Sequence, residues 1–214
     1  MMRAVFLDLD GTLTDSGEGI VKSVDYALGK LDLPALSGDT NWIIGPPLWD
    51  SFSQLGVPED ELEHAVAFYR ERYSKTGYLE NRLYDGILQQ LSDLRDAGYL
   101  MYLATAKPMS YAAKITAHFG ISNYLTDQFG SEEDGTRSDK KSLLAHALSV
   151  AKSTPAHAIM IGDRHYDVVG AKANGIQVLG AAYGYGGLTE LCGAGADGLI
   201  ETPHKLAATV REYL

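Results

Sequence analysis

The sequence predicts an α/β fold, a doubly wound parallel sheet carrying an inserted helical cap. Three observations predict it. Short apolar runs recur along the chain, amphipathic helical patterns fall between them, and one stretch near the N-terminus breaks the alternation. Strands that alternate with helices give a parallel sheet covered on both faces.

The first run, Ala4 to Leu9, ends in acid and then Gly11, so it reads as a buried strand followed by a turn. Comparable runs occur at Leu100–Ala104 and Ala158–Ile161, and weaker ones at Ile176–Ala181 and Gly198–Ile200. Between them Ile87, Leu88, Leu91 and Leu94 share one helical face, as do Leu143, Leu144, Ala147 and Leu148. Pro203 opens a last helix with Leu206, Ala207 and Val210 facing inward. From Asp15 to Arg82 the pattern is helical only. Ile20, Val21, Val24, Leu28 and Leu31 mark one amphipathic helix, and Leu62, Ala65, Val66, Tyr69 and Tyr73 mark another. Residues 15–82 are therefore expected to be the cap, inserted after the first strand, with 1–14 and 83–214 forming the core. The polar run Ser131–Lys141 is expected to be a surface loop.

The chain has 214 residues, 45% of them hydrophobic, enough for a substantial core. A net charge of −10 disfavours nucleic-acid backbones and anionic membranes as partners and leaves a small phosphorylated metabolite as the expected one. The oligomeric state is not legible. The single cysteine, Cys192, follows Leu191 and is expected to be a buried or half-buried thiol. One cysteine cannot form an intramolecular disulfide, which fits a reducing compartment. The apolar run near the N-terminus is short and broken by Asp8 and Asp10. No stretch approaches the roughly 18–20 apolar residues of a membrane span. The expected location is the cytoplasm.

In an open parallel sheet, ligands sit at the carboxyl ends of the strands. There the sequence places Asp8-Leu9-Asp10-Gly11-Thr12, then Thr105-Ala106-Lys107, then Gly162-Asp163-Arg164-His165-Tyr166-Asp167, with Lys140 and Lys141 opening the helix before the last of these. Several carboxylates would converge. Two like charges about 4 Å apart at an effective dielectric near 20 repel by roughly 4 kcal/mol, so the cluster needs a cation or a proton. Carboxylates, carbonyls and water are the ligand set of Mg²⁺. A lysine and a hydroxyl at the rim would hold the remaining oxygens of a phosphate. With two acids two residues apart, one carboxylate can attack phosphorus while the other protonates the leaving oxygen.

DLDGTLTDS, then a Thr, a Lys and GDRHYD, resembles the haloacid dehalogenase-like hydrolase superfamily over nearly the whole chain. The cap position and Gly184-Tyr185-Gly186-Gly187 with Glu190-Leu191 resemble its phosphoglycolate phosphatase branch, which also holds small 5′-nucleotidases. The resemblance implies a Rossmann-like core and a phosphoric monoester hydrolase. It implies Asp8 as the nucleophile that forms an aspartyl-phosphate, and Asp10 as general acid and then base. It implies Mg²⁺ held by Asp8, the backbone carbonyl of Asp10 and Asp163. Thr105 would bind a phosphate oxygen, Lys140 would neutralise the phosphoryl group and Asp8, and Asp167 would orient its neighbours. Two positions depart from the family pattern: Ala106 stands where Asn is common, and Lys140-Lys141 where Lys-Pro is common. The distance to Leu143-Leu144 favours Lys140, and Lys141 stays open.

Receivers, dehalogenases and phosphosugar mutases share parts of this pattern. A receiver lacks the second acid and the cap, a dehalogenase normally lacks the second acid, and a mutase needs an acceptor sugar. His165 reads as a surface or structural residue. Within the phosphatases, phosphoglycolate would want a cationic cap residue such as Arg70, Arg72 or Arg82. A nucleotide would want an aromatic face, for which Trp42 and the cap loop Gly45-Pro46-Pro47-Leu48-Trp49 are available. The expected substrate is a nucleoside 5′-monophosphate, with phosphoglycolate as the alternative. The cap aromatics Trp42, Trp49, Phe52, Phe68, Tyr69 and Tyr73 are expected mostly in core packing, with one or two facing the substrate.

Overall fold

The computed structural model describes residues 3–132 and 134–214. Met1, Met2 and Glu133, the last within the polar run expected as a loop, lie outside the described residues. The chain forms two compact units. One holds the described residues up to Thr14 together with Leu83–Leu214, and the other is Asp15–Arg82.

In chain order, β1 (Ala4–Leu7) comes first, and β2 (Thr14–Asp15) pairs with β3 (Arg82–Leu83) where the chain passes from one unit to the other. Between these two short strands run α1 (Gly17–Lys30), α2 (Leu48–Gln54) and α3 (Leu62–Tyr73). After β3 follow α4 (Ile87–Asp96), β4 (Leu100–Pro108), α5 (Met109–His118) and β5 (Asp127–Ser131). The chain ends with α6 (Lys140–Ala151), β6 (Ala158–Gly162), α7 (His165–Ala173), β7 (Gln177–Ala181), α8 (Gly187–Ala194), β8 (Gly198–Ile200) and α9 (Leu206–Tyr213).

The first unit is built on a six-stranded sheet in the order β5-β4-β1-β6-β7-β8, with every neighbouring pair parallel. β1 lies at its centre, where Ala4 faces Leu100 on one side and Ala158 on the other. Side chains alternate across a strand. Ala4, Phe6, Tyr102, Ala104, Met160 and Val178 therefore pack on one face, against Leu143, Leu144, Val168 and Leu191 from α6, α7 and α8. Val5, Leu7, Met101, Leu103, Ile159 and Ile161 turn to the other face and are equally buried. α4 and α9 meet there, and Gln90 Oε1 accepts the Ala207 N–H at 3.0 Å. Continuous apolar runs are what burial on both faces demands.

Three elements differ from the sequence expectation. β5 went unread because it is an edge strand whose sequence, Asp-Gln-Phe-Gly-Ser, offers one large apolar residue. Ser131 closes that strand and is buried, so the polar run leaves the sheet one residue later than expected. Cys192 is exposed, not buried: Leu191 turns inward on α8, and the next residue lies about 100° further round the helix.

The second unit packs α1 against α3. Ile20, Val24, Ala27 and Leu28 are buried on α1, and Ala65, Val66, Tyr69 and Tyr73 on α3. The two tyrosine rings stack with centroids 5.3 Å apart. Of the other cap aromatics Phe52 is fully buried, Trp42 and Phe68 are half-buried, and Trp49 is exposed. The expected loop around Pro46-Pro47 is shorter than the sequence suggested. Pro47 is the N-cap of α2 and Trp49 sits in that helix's first turn, because a proline pre-sets the backbone for a helix start.

Candidate active site

The carboxyl edge of the sheet carries the polar residues. Asp8 follows β1 and Asp163 follows β6, the two strands that neighbour each other at the sheet centre. Asp167 lies in the first turn of α7, and Lys140 is the first residue of α6. The last turn of the chain before the cap is tight: Leu9 carbonyl accepts the N–H groups of Leu13 and Thr14, at 2.9 and 3.0 Å. Gly11 makes that turn possible. Its φ is +78°, and a Cβ there would stand 2.0 Å from Asp163 Oδ2.

Lys140 is the centre of the arrangement. Its Nζ lies 2.9 Å from Asp8 Oδ1 and 2.7 Å from Asp167 Oδ1, and donates to the Ala104 carbonyl at 2.8 Å. Asp139 starts α6 by accepting the Ser142 N–H, which fixes the helix end that carries Lys140. α7 comes so close that a Cβ on Gly170 would lie 2.5 Å from Lys140 Cβ. Lys141 is exposed. Of the two lysines left open by the sequence, Lys140 is the one that reaches the acids.

One carboxylate oxygen from each of Asp8, Asp163 and Asp167 lies within 4.8 Å of the others. Asp8 Oδ1 also accepts the Leu9 N–H at 2.8 Å. Asp163 is fully buried, and its Oδ2 accepts the Tyr185 N–H at 2.8 Å. Asp167 Oδ2 accepts the Arg164 N–H at 3.1 Å. Thr105 is buried on β4, and its Oγ1 accepts the Lys107 N–H at 3.3 Å. The Asp10 carboxylate stands apart from this group. It pairs through Oδ2 with Lys107 Nζ at 2.6 Å.

Burial sets the electrostatics. It pushes the Asp8 carboxyl up, with Lys140 pulling back and Asp167 adding to the rise. Burial pushes the Asp163 carboxyl well up, reinforced by Asp167 and Asp8 and only partly offset by the Tyr185 N–H. Burial alone would lower the Lys140 ammonium, but Asp167 and Asp8 outweigh it and hold it above its ordinary value. The residues fit a divalent cation. Their donors are hard oxygens, the set that Mg²⁺ takes. Lys140 is shared by Asp8 and Asp167 while Asp10 is paired with Lys107, so the buried acids at this edge outnumber the lysines paired with them.

Several contacts that brace the site were not legible in the sequence, although the resemblance singled out Tyr185 and Glu190. The loop after β7 wraps the site: the Tyr183 hydroxyl donates to the Thr12 carbonyl at 2.8 Å, and the Tyr185 N–H holds Asp163. Glu190 Oε1 gathers Arg164 Nε, the His165 N–H and His165 Nδ1, at 2.9, 2.8 and 2.8 Å. Burial pushes the Glu190 carboxyl up, yet these contacts from Arg164 and His165 outweigh it and hold it at about 2. His165 thus ties α8 to the turn after Asp163. Backbone donors such as Tyr185 leave no mark in a sequence, since every residue type but proline has one.

The family model described as haloacid dehalogenase-like hydrolase matches residues 5–181. The chain belongs to that family. It is a phosphatase of that family, with a six-stranded parallel sheet and flanking helices. It is 43% identical over 190 residues to a 5′-nucleotidase of Pseudomonas aeruginosa, covering 87% of this chain and 86% of that one. It is 42% identical over 185 residues to the tyrosine-protein kinase PtkA of Mycobacterium tuberculosis, covering 86% of this chain and 63% of that longer protein. A phosphoglycolate phosphatase of Cupriavidus necator is 31% identical over 211 residues, covering 96% of this chain and 91% of that one. Among solved structures, a predicted phosphatase from Clostridium acetobutylicum superposes with a TM-score of 0.92 at 38% identity, covering 99% of both chains. No helix among the described residues is long and apolar enough to cross a membrane.

Proposed function

We propose that this phosphatase hydrolyses small phosphomonoesters through an aspartyl-phosphate on Asp8, with Mg²⁺ as cofactor. The observation that carries the reading is the buried group of Asp8, Asp163 and Asp167 around Lys140. Asp8 is held through Oδ1 by Lys140 and the Leu9 N–H, so its orientation is fixed before substrate arrives. It attacks phosphorus, and the bond from phosphorus to the leaving oxygen breaks. Asp10 gives that oxygen a proton. Asp10 then takes a proton from water, the water oxygen attacks phosphorus, and Asp8 is released with inorganic phosphate. Lys140 neutralises charge gathering on the phosphoryl group, and Thr105 holds one of its oxygens. Asp167 and the Ala104 carbonyl keep Lys140 in place. Asp8, Asp163 and the Asp10 backbone carbonyl would hold Mg²⁺, which supplies charge neutralisation for the phosphate oxygens.

The core made of residues 1–14 and 83–214 carries this chemistry, and the cap, 15–82, selects the leaving group. A nucleoside 5′-monophosphate is the proposed substrate. The likeness to the Pseudomonas 5′-nucleotidase supports it. So does the state of the cap cations. Arg72 is paired with Glu80 at 2.7 Å and Arg82 with Glu18 at 3.1 Å, while the Arg70 guanidinium stands 5.4 Å over the Trp49 ring. Two of the three cations that a carboxylate-bearing substrate would want already have carboxylate partners. Phosphoglycolate is the second reading, supported by the likeness to the Cupriavidus enzyme. The single cysteine, which fits a reducing compartment, supports the cytoplasm as the place of action.

A panel of phosphomonoesters with Mg²⁺ tests the proposal. Release of inorganic phosphate, fastest from nucleoside monophosphates, is the expected result. A clear preference for phosphoglycolate would overturn the substrate. Phosphate passing from ATP to a tyrosine peptide, with none released to water, would overturn the hydrolytic reading.

A further inference from the structure

Lys107 lies on the last part of β4, within the stretch from Ala104 to Pro108 where that strand's pairing with β5 shifts register. The segment is built to a fixed shape. Thr105 Oγ1 accepts the Lys107 N–H, and Pro108 is the N-cap of α5. β5 passes so close that a Cβ on Gly130 would come within 2.9 Å of the Lys107 carbonyl oxygen. From this anchored backbone the Lys107 ammonium reaches Asp10 Oδ2 at 2.6 Å, with side chains only 7% and 15% exposed. Asp10 Oδ1 is buried and accepts no hydrogen bond from the described residues.

A carboxylate that must pass a proton in two directions needs one oxygen held and the other presented to the reacting atoms. A buried ammonium carried by a braced backbone does that, because a charge-assisted contact at this distance resists rotation of the carboxylate. Lys140 cannot serve Asp10, since its contacts are Asp8, Asp167 and the Ala104 carbonyl. The two lysines therefore divide the acids between them.

We propose that Lys107 is the positioning residue of Asp10: it holds Oδ2 and so makes Oδ1 the oxygen that exchanges the proton. In the first half-reaction the proton on Oδ1 passes to the leaving alkoxide as the bond from phosphorus to that oxygen breaks. In the second, a proton of the attacking water returns to Oδ1 as the bond from phosphorus to Asp8 breaks. The proton count of Asp10 is restored, and the products are the alcohol and inorganic phosphate. This inference rests on the acid-base role proposed above for Asp10.

The test compares Asp10→Asn, Lys107→Met and Lys107→Arg on p-nitrophenyl phosphate and on an alkyl phosphate, with Mg²⁺. The nitrophenolate leaves without a proton, and an alkoxide does not. Asp10→Asn should lose about 10²–10⁴-fold in kcat on the alkyl ester and much less on the nitrophenyl ester. Lys107→Met should show the same selectivity in kcat, smaller in size and with KM nearly unchanged, and Lys107→Arg should recover part of the loss. Equal slowing of both esters by Lys107→Met, or a rise in KM alone, would overturn the positioning role while leaving Asp10 intact. Absence of leaving-group selectivity in Asp10→Asn would overturn both the role of Asp10 and this inference. If Lys107→Met does not fold, Lys107→Gln, which removes the charge and is one bond too short to keep the contact, is read by the same criteria.

Discussion

Lys140 and Lys22 each have two carboxylate partners, yet they lie in opposite surroundings. Lys140 Nζ stands 2.9 Å from Asp8 and 2.7 Å from Asp167 with 4% of its side chain exposed. Lys22 Nζ stands 2.6 Å from Glu18 and 3.2 Å from Glu80 with 49% exposed. The first belongs to the sheet-based unit and the second to the unit of Asp15–Arg82. Matching distances thus hide different physics. Water screens the exposed pairs and supplies partners to whichever group is left over. Nothing replaces a lost partner around Lys140, so its pairs hold the acids in a set geometry at a cost in desolvation. Chemistry that needs fixed charges belongs in the first setting.

The largest way to break this comparison is to remove the acid at its centre. Asp8→Asn should lower turnover by at least about 10⁴-fold, as expected when a nucleophile is deleted, while its circular dichroism spectrum stays that of the wild type. Retained turnover would separate the cluster from the chemistry. Lys140→Met leaves Asp8 and Asp167 buried without their cation. A loss of about 3–5 kcal/mol in unfolding free energy is expected from urea titration without divalent ions. Lys22→Met serves as the control and should move the urea midpoint no more than an ordinary surface substitution. Equal midpoints for the two variants would dissolve the distinction.

Metal sharpens it further. If Mg²⁺ joins the acids of the first unit, adding it at about 100 times its dissociation constant should stabilise the wild type by about 2.7 kcal/mol. Asp163→Asn should lose most of that gain, measured by the shift in melting temperature with and without the ion. The smallest expected effect is that of Glu190, whose carboxyl is held at about 2 against an ordinary 4.5. A lowered folded value contributes stability that is present above about pH 4.5 and is lost as pH falls towards 2. With solvent screening allowed for, the contribution is about 1–2 kcal/mol. Glu190→Gln should therefore be less stable than the wild type at pH 7, and the gap should close by about pH 2. A gap that persists at low pH would mean that Glu190 acts by packing rather than by charge.

Much of this was legible in the sequence, and the reasons are physical. β1, β4 and β6 are buried on both faces and announce themselves as unbroken apolar runs ending in acid, hydroxyl or amine. Asp8, Asp163 and Asp167 could be read because a parallel sheet delivers its strand ends to one edge. Lys140 and Lys141 could not be separated by charge alone. Their separation follows from the phase of α6, whose Leu143 and Leu144 face the sheet. β5 stayed hidden because an edge strand needs little apolar sequence. Cys192 was misread because one apolar neighbour does not tell which side of a helix a residue faces. The Lys107–Asp10 pair joins residues 97 apart, a contact that no local pattern encodes.

The most direct test of the account is to trap the enzyme during turnover. Rapid acid quench of the wild type with Mg²⁺ and a phosphomonoester, followed by borohydride reduction and peptide mapping, should convert Asp8 to homoserine, the mark of an acyl phosphate. Reduction at another carboxylate, or steady turnover with Asp8 always recovered unmodified, would contradict it.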